Sequence, residues 1–385
     1  MRFIQADIVY PISSKPIKNG IIVLNDDGKV EDVLDEKDEI DPSKIEKHTG
    51  SISPGFVNAH CHLELSHLKG VISQKKGLIE FAKGVISNRN TKLMEFVGET
   101  MLKADEEMKE AGIVAVGDIS NGSHSFAVKQ KSKIYYHTFI ELIGLNPANA
   151  DKIMEVGVEL MKEAEHRSLK ASFVPHAPYS TSYEMMKCIS EIASKNNSPV
   201  CIHNQESKEE NKFFENKTGN FTELYKSLNL PTDYFKATSK TSLQSYLEYL
   251  QTTGALMLVH NTFSSVEDIE FANKLHSNLF WCLCPNANLY IENALPDVKM
   301  LTENNCKITI GTDSLASNHQ LDVMNELSVL KKNFPSLTMW QLFQWATLNG
   351  ARFLGIDKKF GSIEKGKSPG LVLVDEESME VKRVL

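Results

Sequence analysis

The chain has no apolar run near the ~18 residues that a membrane-spanning helix needs, so neither an integral helical membrane protein nor a membrane partner is expected. The N-terminal MRFIQADIVYPI alternates like a strand and carries an acid, and it lacks the charged start and continuous apolar core of a secretory signal. Cysteine is scarce and scattered, six in 385 residues. Three of the six, Cys201, Cys282 and Cys284, fall in apolar strand-like runs. That argues against a disulfide scaffold and for reduced thiols in a cytoplasm. Cys282 and Cys284 are too closely spaced for a structural zinc knuckle and read as strand residues. Positive charge is in deficit: 42 Lys and Arg stand against 50 Asp and Glu, for a net charge of -8. A phosphate-gripping surface and a nucleic-acid partner are therefore not expected. Low-complexity segments and short-period repeats are also missing.

What is present is a repeat of pattern. Hydrophobic residues make up 41% of the chain and charged residues 24%, as in an ordinary soluble globular protein. Short apolar runs recur at 54–60, 112–119, 133–142, 169–176, 199–203, 255–261, 279–284 and 307–312. Between them lie stretches at helical spacing, such as Leu93–Ala111, Ala150–Glu165, Tyr183–Lys195 and Ser264–Leu275. Strands alternating with helices over residues 54–354 predict an α/β fold, a (β/α)8 TIM-type barrel. The ends read differently. Residues 1–53 offer short strands around an Asp-Asp-Gly turn, and residues 355–385 carry strand-like segments punctuated by Gly and Pro. Together they predict a small β domain built from both termini. Residues 207–254 exceed a normal strand-to-helix connection, are polar and aromatic, and are expected to form part of a lid over a site.

In such a barrel, reactive groups project from the C-terminal ends of the strands. Here those ends carry His60 and His62, then His176, His203, His260 and Asp313. On a strand, His60 and His62 point to one face and Cys61 to the other. Two neighbouring imidazoles on one face can grip a divalent cation, and a mixed imidazole and carboxylate set suits Zn2+, or Fe2+ as the alternative, with an open position for water. His124, His166 and His276 lie away from strand ends and read as structural.

The motifs PGFVNAHCH, HAPYS, HNQE, VHN, GTDS and the terminal GSIEKGKSPGLVLV, in that order, resemble the amidohydrolase superfamily in its nucleobase and nucleoside deaminase branch. The resemblance implies one divalent metal held by His60, His62, His203 and Asp313. It also implies that Glu206 shuttles a proton to a ring nitrogen, that Asp313 takes a proton from the attacking water and that His260 orients this water. Two-metal relatives carry a bridging lysine at the end of strand four. This chain has His176 there and Lys170 at the opposite end, so one metal is expected. The run HCHLELSHLKG, the segment GTDSLASNHQLD and the Pro369-Gly370 ending resemble the aminodeoxyfutalosine deaminase subfamily of menaquinone biosynthesis. A cytoplasmic hydrolase releasing ammonia from a 6-aminopurine nucleoside is thus implied. The alternatives are deaminases of S-adenosylhomocysteine, methylthioadenosine or guanine, or a chlorohydrolase on the same scaffold. His176, Glu64, Ser66 and His67 are expected to meet the substrate. Arg89, ahead of Lys69, is expected to meet its distal carboxylate. A homo-oligomer is compatible with the sequence.

Overall fold

The structure is a computed structural model that describes residues 1–35 and 41–385. Among these, five strands come first: β1 (Arg2–Val9), β2 (Ile17–Lys18), β3 (Ile21–Leu24), β4 (Val30–Leu34) and β5 (Ile45–Pro54). Eight follow: β6 (Phe56–Cys61), β7 (Ile113–Ser120), β8 (Tyr135–Leu142), β9 (Lys170–Pro175), β10 (Val200–Asn204), β11 (Leu256–His260), β12 (Leu279–Leu283) and β13 (Lys307–Ile310). Two end the chain: β14 (Leu371–Asp375) and β15 (Glu380–Arg383).

β6 to β9 form one parallel sheet and β10 to β13 another. They meet at two seams and close the predicted barrel. At one seam the His203 amide donates to the His176 carbonyl at 3.0 Å. At the other, Thr312 N–H donates to the His60 carbonyl at 3.0 Å and Cys61 bridges Asp313 in parallel. Asn58 locks this second seam with its side chain, donating to Thr312 Oγ1 at 2.7 Å and accepting from Thr312 N–H at 3.1 Å. Gly311 lets the strands approach, since a Cβ there would stand 2.8 Å from His60 Cβ and 2.9 Å from Cys282 Sγ. Near-continuous apolar strands such as LMLVH and LFWCL suit a sheet covered on both faces, and both are buried throughout.

The expected helices stand at Met94–Glu110, Ala150–His166, Tyr183–Asn196 and Val266–Leu275. One expected run is split: residues 54–60 begin in β5 and continue in β6. Gly55 makes the break, because a Cβ there would lie 2.4 Å from Val114 Cγ1. β5 runs parallel to β1 and antiparallel to β14, so both chain ends enter one sheet of order β15-β14-β5-β1-β3-β4, with β2 on β1. The Asp-Asp-Gly segment joins β3 to β4, with Gly28 at φ 74°.

The connection after β10 holds helices at Lys208–Asn216, Asn220–Ser227 and Ser242–Tyr246. Most of its aromatic residues are turned away from water. Phe213, Phe214, Phe221, Tyr225 and Phe235 pack with Tyr179, Tyr290 and Leu78 in a buried cluster. These partners come from the connections after β9, β12 and β6, so the insertion is fastened across the C-terminal mouth of the barrel.

One buried ion pair supports the same end. Lys129 Nζ lies 2.6 Å from Asp118 Oδ2 with both side chains inaccessible. It also donates to Ser120 Oγ at 2.7 Å and to Thr138 Oγ1 at 3.3 Å. The other Asp118 oxygen accepts the Leu63 amide at 2.8 Å, which fixes the chain just beyond His62. Removing one partner of such a pair strands a buried charge. Lys129→Met should lower unfolding free energy by about 3–5 kcal/mol, read from denaturant midpoints, and Asp118→Asn in that background should restore most of it. A loss under about 1 kcal/mol in the single variant would show that the pair does not bear on stability.

Candidate active site

The strand ends converge on one point. His62 Nε2 lies 3.1 Å from His60 Nε2, 3.2 Å from His203 Nε2 and 3.4 Å from Asp313 Oδ1. His60 Nε2 is 3.8 Å from the same Asp313 oxygen. His260 joins the group: ligand atoms of His60, His203, His260 and Asp313 all lie within 4.8 Å of one another. All five side chains are buried.

The donor set fits a divalent metal. Burial, reinforced by the neighbouring histidines, holds His60 and His62 well below the ordinary imidazole range. Burial likewise brings His203 down to about 3 and His176 to about 4. The imidazoles are neutral near pH 7, as metal ligands must be. His203 Nδ1 stands 2.7 Å from the His176 carbonyl, which can only accept, so Nδ1 carries the hydrogen and Nε2 presents a lone pair. Three imidazole nitrogens at this spacing can present their lone pairs together only to a cation; with no ion, a His62 Nε2–H can donate to one of its neighbours. A tetrahedral zinc site has edges of about 3.3 Å, given metal–nitrogen distances of roughly 2.0–2.1 Å. Residues His60, His62, His203 and Asp313 could thus hold one ion, with Ser317 Oγ donating to the second Asp313 oxygen at 2.5 Å. Lys170 begins β9 and is exposed at the far end of the strand, away from the cluster.

Local backbone aims these groups. His260 (φ 76°), Asn261 (φ 58°), Gln205 (φ 45°) and Asp313 (φ 56°) all occupy the left-handed region, which costs non-glycine residues roughly 1–3 kcal/mol each. The strands end in sharp turns that swing the side chains inward. His260 Nδ1 meets Asn288 Oδ1 at 2.8 Å, leaving Nε2 to face Glu206 Oε1 at 3.7 Å. Burial, then Asp313 and Glu292, push the Glu206 carboxyl well above its usual range.

The other sequence-predicted residues have partners within the chain. His176 Nδ1 is 2.6 Å from Ser180 Oγ, and its ring lies 4.8 Å from that of His203. Glu64 accepts the Asn121 amide at 3.0 Å, and burial pushes its carboxyl to about 7. Ser66 Oγ donates back to the Leu63 carbonyl at 2.7 Å, and His67 Nε2 reaches the Arg89 carbonyl at 3.0 Å. Arg89 is half-buried, with Nη2 3.5 Å from Asn121 Oδ1, whereas Lys69 is exposed.

Sequence reading missed Glu141, Asn121, Asn288 and Ser317. Glu141, next to last in β8, has one oxygen taken by Asn121 Nδ2 at 2.7 Å and the other 3.7 Å from His203 Nδ1. A lone acid in YYHTFIELIG carries no spacing signal, although its place at a strand end could have flagged it.

The geometry generates a direct expectation. Ala at His62, His203 or Asp313 should remove most bound divalent metal, as measured by elemental analysis of purified protein. A variant keeping full metal with an unchanged thermal midpoint would exclude that residue as a ligand.

Known proteins share this architecture. A Helicobacter pylori aminofutalosine deaminase, solved with methylthio-coformycin, superposes with a TM-score of 0.81 at 22% identity, covering 97% of this chain and 92% of that one. A Xanthomonas campestris adenosine deaminase with bound zinc gives 0.75 at 22% identity, covering 98% and 85%. In sequence, an adenosine deaminase of Helicobacter pylori is 29% identical over 322 residues, 83% of this chain and 77% of the relative. The aminodeoxyfutalosine deaminase of a Nitratiruptor species is 28% identical over 329 residues, 84% and 78%. Residues 51–385 match the amidohydrolase family. A closed eight-stranded barrel with its histidines and aspartate gathered at the strand ends thus has its relatives, and this chain belongs to the amidohydrolase family.

Proposed function

We propose that this chain is a hydrolytic deaminase of 6-aminopurine nucleosides and that its substrate is aminodeoxyfutalosine. The observation that carries the deaminase reading is the placement of Glu206 beside the ligand set, with Oε1 3.7 Å from His260 Nε2 and the side chain buried. Hydrolysis at an amidine carbon needs the adjacent ring nitrogen protonated as the new C–O bond forms. A buried glutamic acid with a raised pKa holds such a proton. A divalent ion bound by His60, His62, His203 and Asp313, zinc before iron, would supply acidified water at neutral pH. Asp313 takes a proton from the attacking water, and His260, oriented by Asn288, directs that water. Glu206 protonates the ring nitrogen and then takes the proton left on the new hydroxyl as the carbonyl forms, while the proton held by Asp313 passes to the departing amino group, which leaves as ammonia. His176 lines the pocket from the end of β9.

Relatives named for adenosine, 5'-deoxyadenosine and aminodeoxyfutalosine deamination support the nucleoside class. The finer choice rests on the HCHLELSHLKG and GTDSLASNHQLD segments, the Pro369-Gly370 ending and the place of Arg89. Arg89 is half-buried, and its charge acts on His62, Glu64, Glu141 and His176. A carboxylate leaving water needs a cation or several donors, and Arg89 is taken as that cation. Residues 1–53 with 355–385 are taken as a small β unit and 54–354 as the catalytic unit. Six free cysteines suit a reducing cytoplasm.

A panel of aminodeoxyfutalosine, S-adenosylhomocysteine, methylthioadenosine, adenosine and guanine, scored by ammonia release, tests the reading. Aminodeoxyfutalosine should give the highest kcat/KM. Arg89→Met should lower that value by about 1.5–3 kcal/mol of transition-state stabilisation and leave methylthioadenosine nearly untouched. Equal losses on both substrates would make Arg89 structural. Brisk turnover of guanine with none of aminodeoxyfutalosine would overturn the substrate assignment.

A further inference from the structure

We infer that Gln205 and Glu210 form a positioning clamp that sets Glu206 through its backbone, an inference that rests on the proton-shuttle reading of Glu206. Among the described residues, none donates a hydrogen bond to the Glu206 carboxylate; His260 Nε2, at 3.7 Å, stands beyond hydrogen-bond reach. The place of that carboxyl is therefore dictated by the peptide that carries it.

That peptide is held on all sides. Glu210, wholly buried, lies in the first turn of the helix Lys208–Asn216. Its Oε1 accepts the Gln205 amide at 3.0 Å and its Oε2 accepts the Glu206 amide at 3.3 Å. One carboxylate thus grips two consecutive N–H groups just where the backbone enters the left-handed region, with Gln205 at φ 45°. The Gln205 carbonyl accepts the Phe263 amide at 3.0 Å. The Gln205 side chain is bound at both ends, donating to Asp268 Oδ2 at 2.8 Å and accepting from Ser264 Oγ at 2.6 Å. Asp268 in turn accepts from Thr241 Oγ1 at 2.5 Å and from Gln244 Nε2 at 2.9 Å. Gln205, Glu210 and Asp268 are all buried.

A strained residue persists only where its surroundings over-determine it. The clamp supplies that excess and ties the end of β10 to the insertion after it and to the turn after β11. Both Glu210 oxygens are turned to the Gln205 and Glu206 amides, so it acts by fixing the φ/ψ of the residues that aim Glu206. Loosening it should leave the metal ligands and the binding pocket in place while misplacing the proton donor.

A double-mutant cycle separates this role from plain stability. Purified metal-loaded protein is assayed by ammonia release from the adenine nucleoside it turns over best, as wild type, Glu206→Gln, Glu210→Gln and the pair. Glu210→Gln should lower kcat by about 10- to 100-fold, the effect of a misplacement near 1 Å, with metal content unchanged and KM within about 3-fold. In the Glu206→Gln background the same change should lower kcat by less than about 3-fold, because there is no longer a proton donor to aim. The shift in thermal midpoint should be equal in both backgrounds. Should Glu210→Gln fail to fold, Gln205→Met takes its place in the cycle with the same expectation. Equal fold-losses in both backgrounds, or a wild-type kcat in Glu210→Gln, would overturn the clamp while leaving the shuttle intact. A wild-type rate in Glu206→Gln would remove the shuttle itself, and the clamp with it.

Discussion

Everything at the C-terminal end of this barrel depends on one constraint: three neutral imidazoles and a carboxylate brought together in a buried space. His60, His62 and His203 point nitrogens at each other across 3.1 to 3.2 Å where these distances are fixed, with Asp313 at 3.4 Å from His62. A cation lets all three nitrogens present lone pairs at once, an arrangement that neutral imidazoles otherwise relieve by donating to one another. The fold maintains this arrangement through the β6–β13 seam. Asn58 and Thr312 lock the seam, and Gly311 allows the close approach that brings Asp313 beside His60 and His62.

The cost is distributed over backbone and buried charge. Non-glycine residues at the ends of β10, β11 and β13 take positive φ angles, and each needs support from its neighbours. Gln205 has Glu210 and Asp268, His260 has Asn288, and Asp313 has Ser317. Below them, the Lys129–Asp118 pair fixes the turn that follows His62. Glu326 does the same for the connections after β12 and β13, accepting the Asn286 amide at 2.8 Å and the Asn318 side chain at 2.7 Å. Burial pushes this carboxyl to about 8 despite those donors, a measure of how far the supporting shell is withdrawn from water.

The barrel strands were legible because strands covered on both faces read as short apolar runs, and the helices between them show an amphipathic period. The histidines and Asp313 were legible because they interrupt those runs at matching ends. The supporting groups were not. Asn288, Ser317, Glu141 and Gln205 act through contacts between segments remote in sequence, and no local pattern distinguishes a clamping Gln from a surface one. Lys129 was hidden for another reason: in FAVKQK it reads as a solvated lysine, and only the tertiary fold buries it against Asp118. The break at Gly55 was invisible because the apolar run continues across it while the chain passes from the terminal sheet into the barrel. Glu64, Ser66 and His67 stand close to the metal pair in sequence. The structure gives their polar atoms partners inside the protein, so nearness alone could not establish a substrate contact.

The central claim is that one cation in this cluster enables hydrolysis. It is tested most directly by stripping the purified protein with a chelator and returning zinc in measured steps while ammonia release from an adenine nucleoside is followed. Activity should be absent at the start, rise in proportion to added metal and level off at about one equivalent per chain, as a four-ligand site requires. Full activity in the stripped protein, or a plateau reached only at about two equivalents, would contradict it.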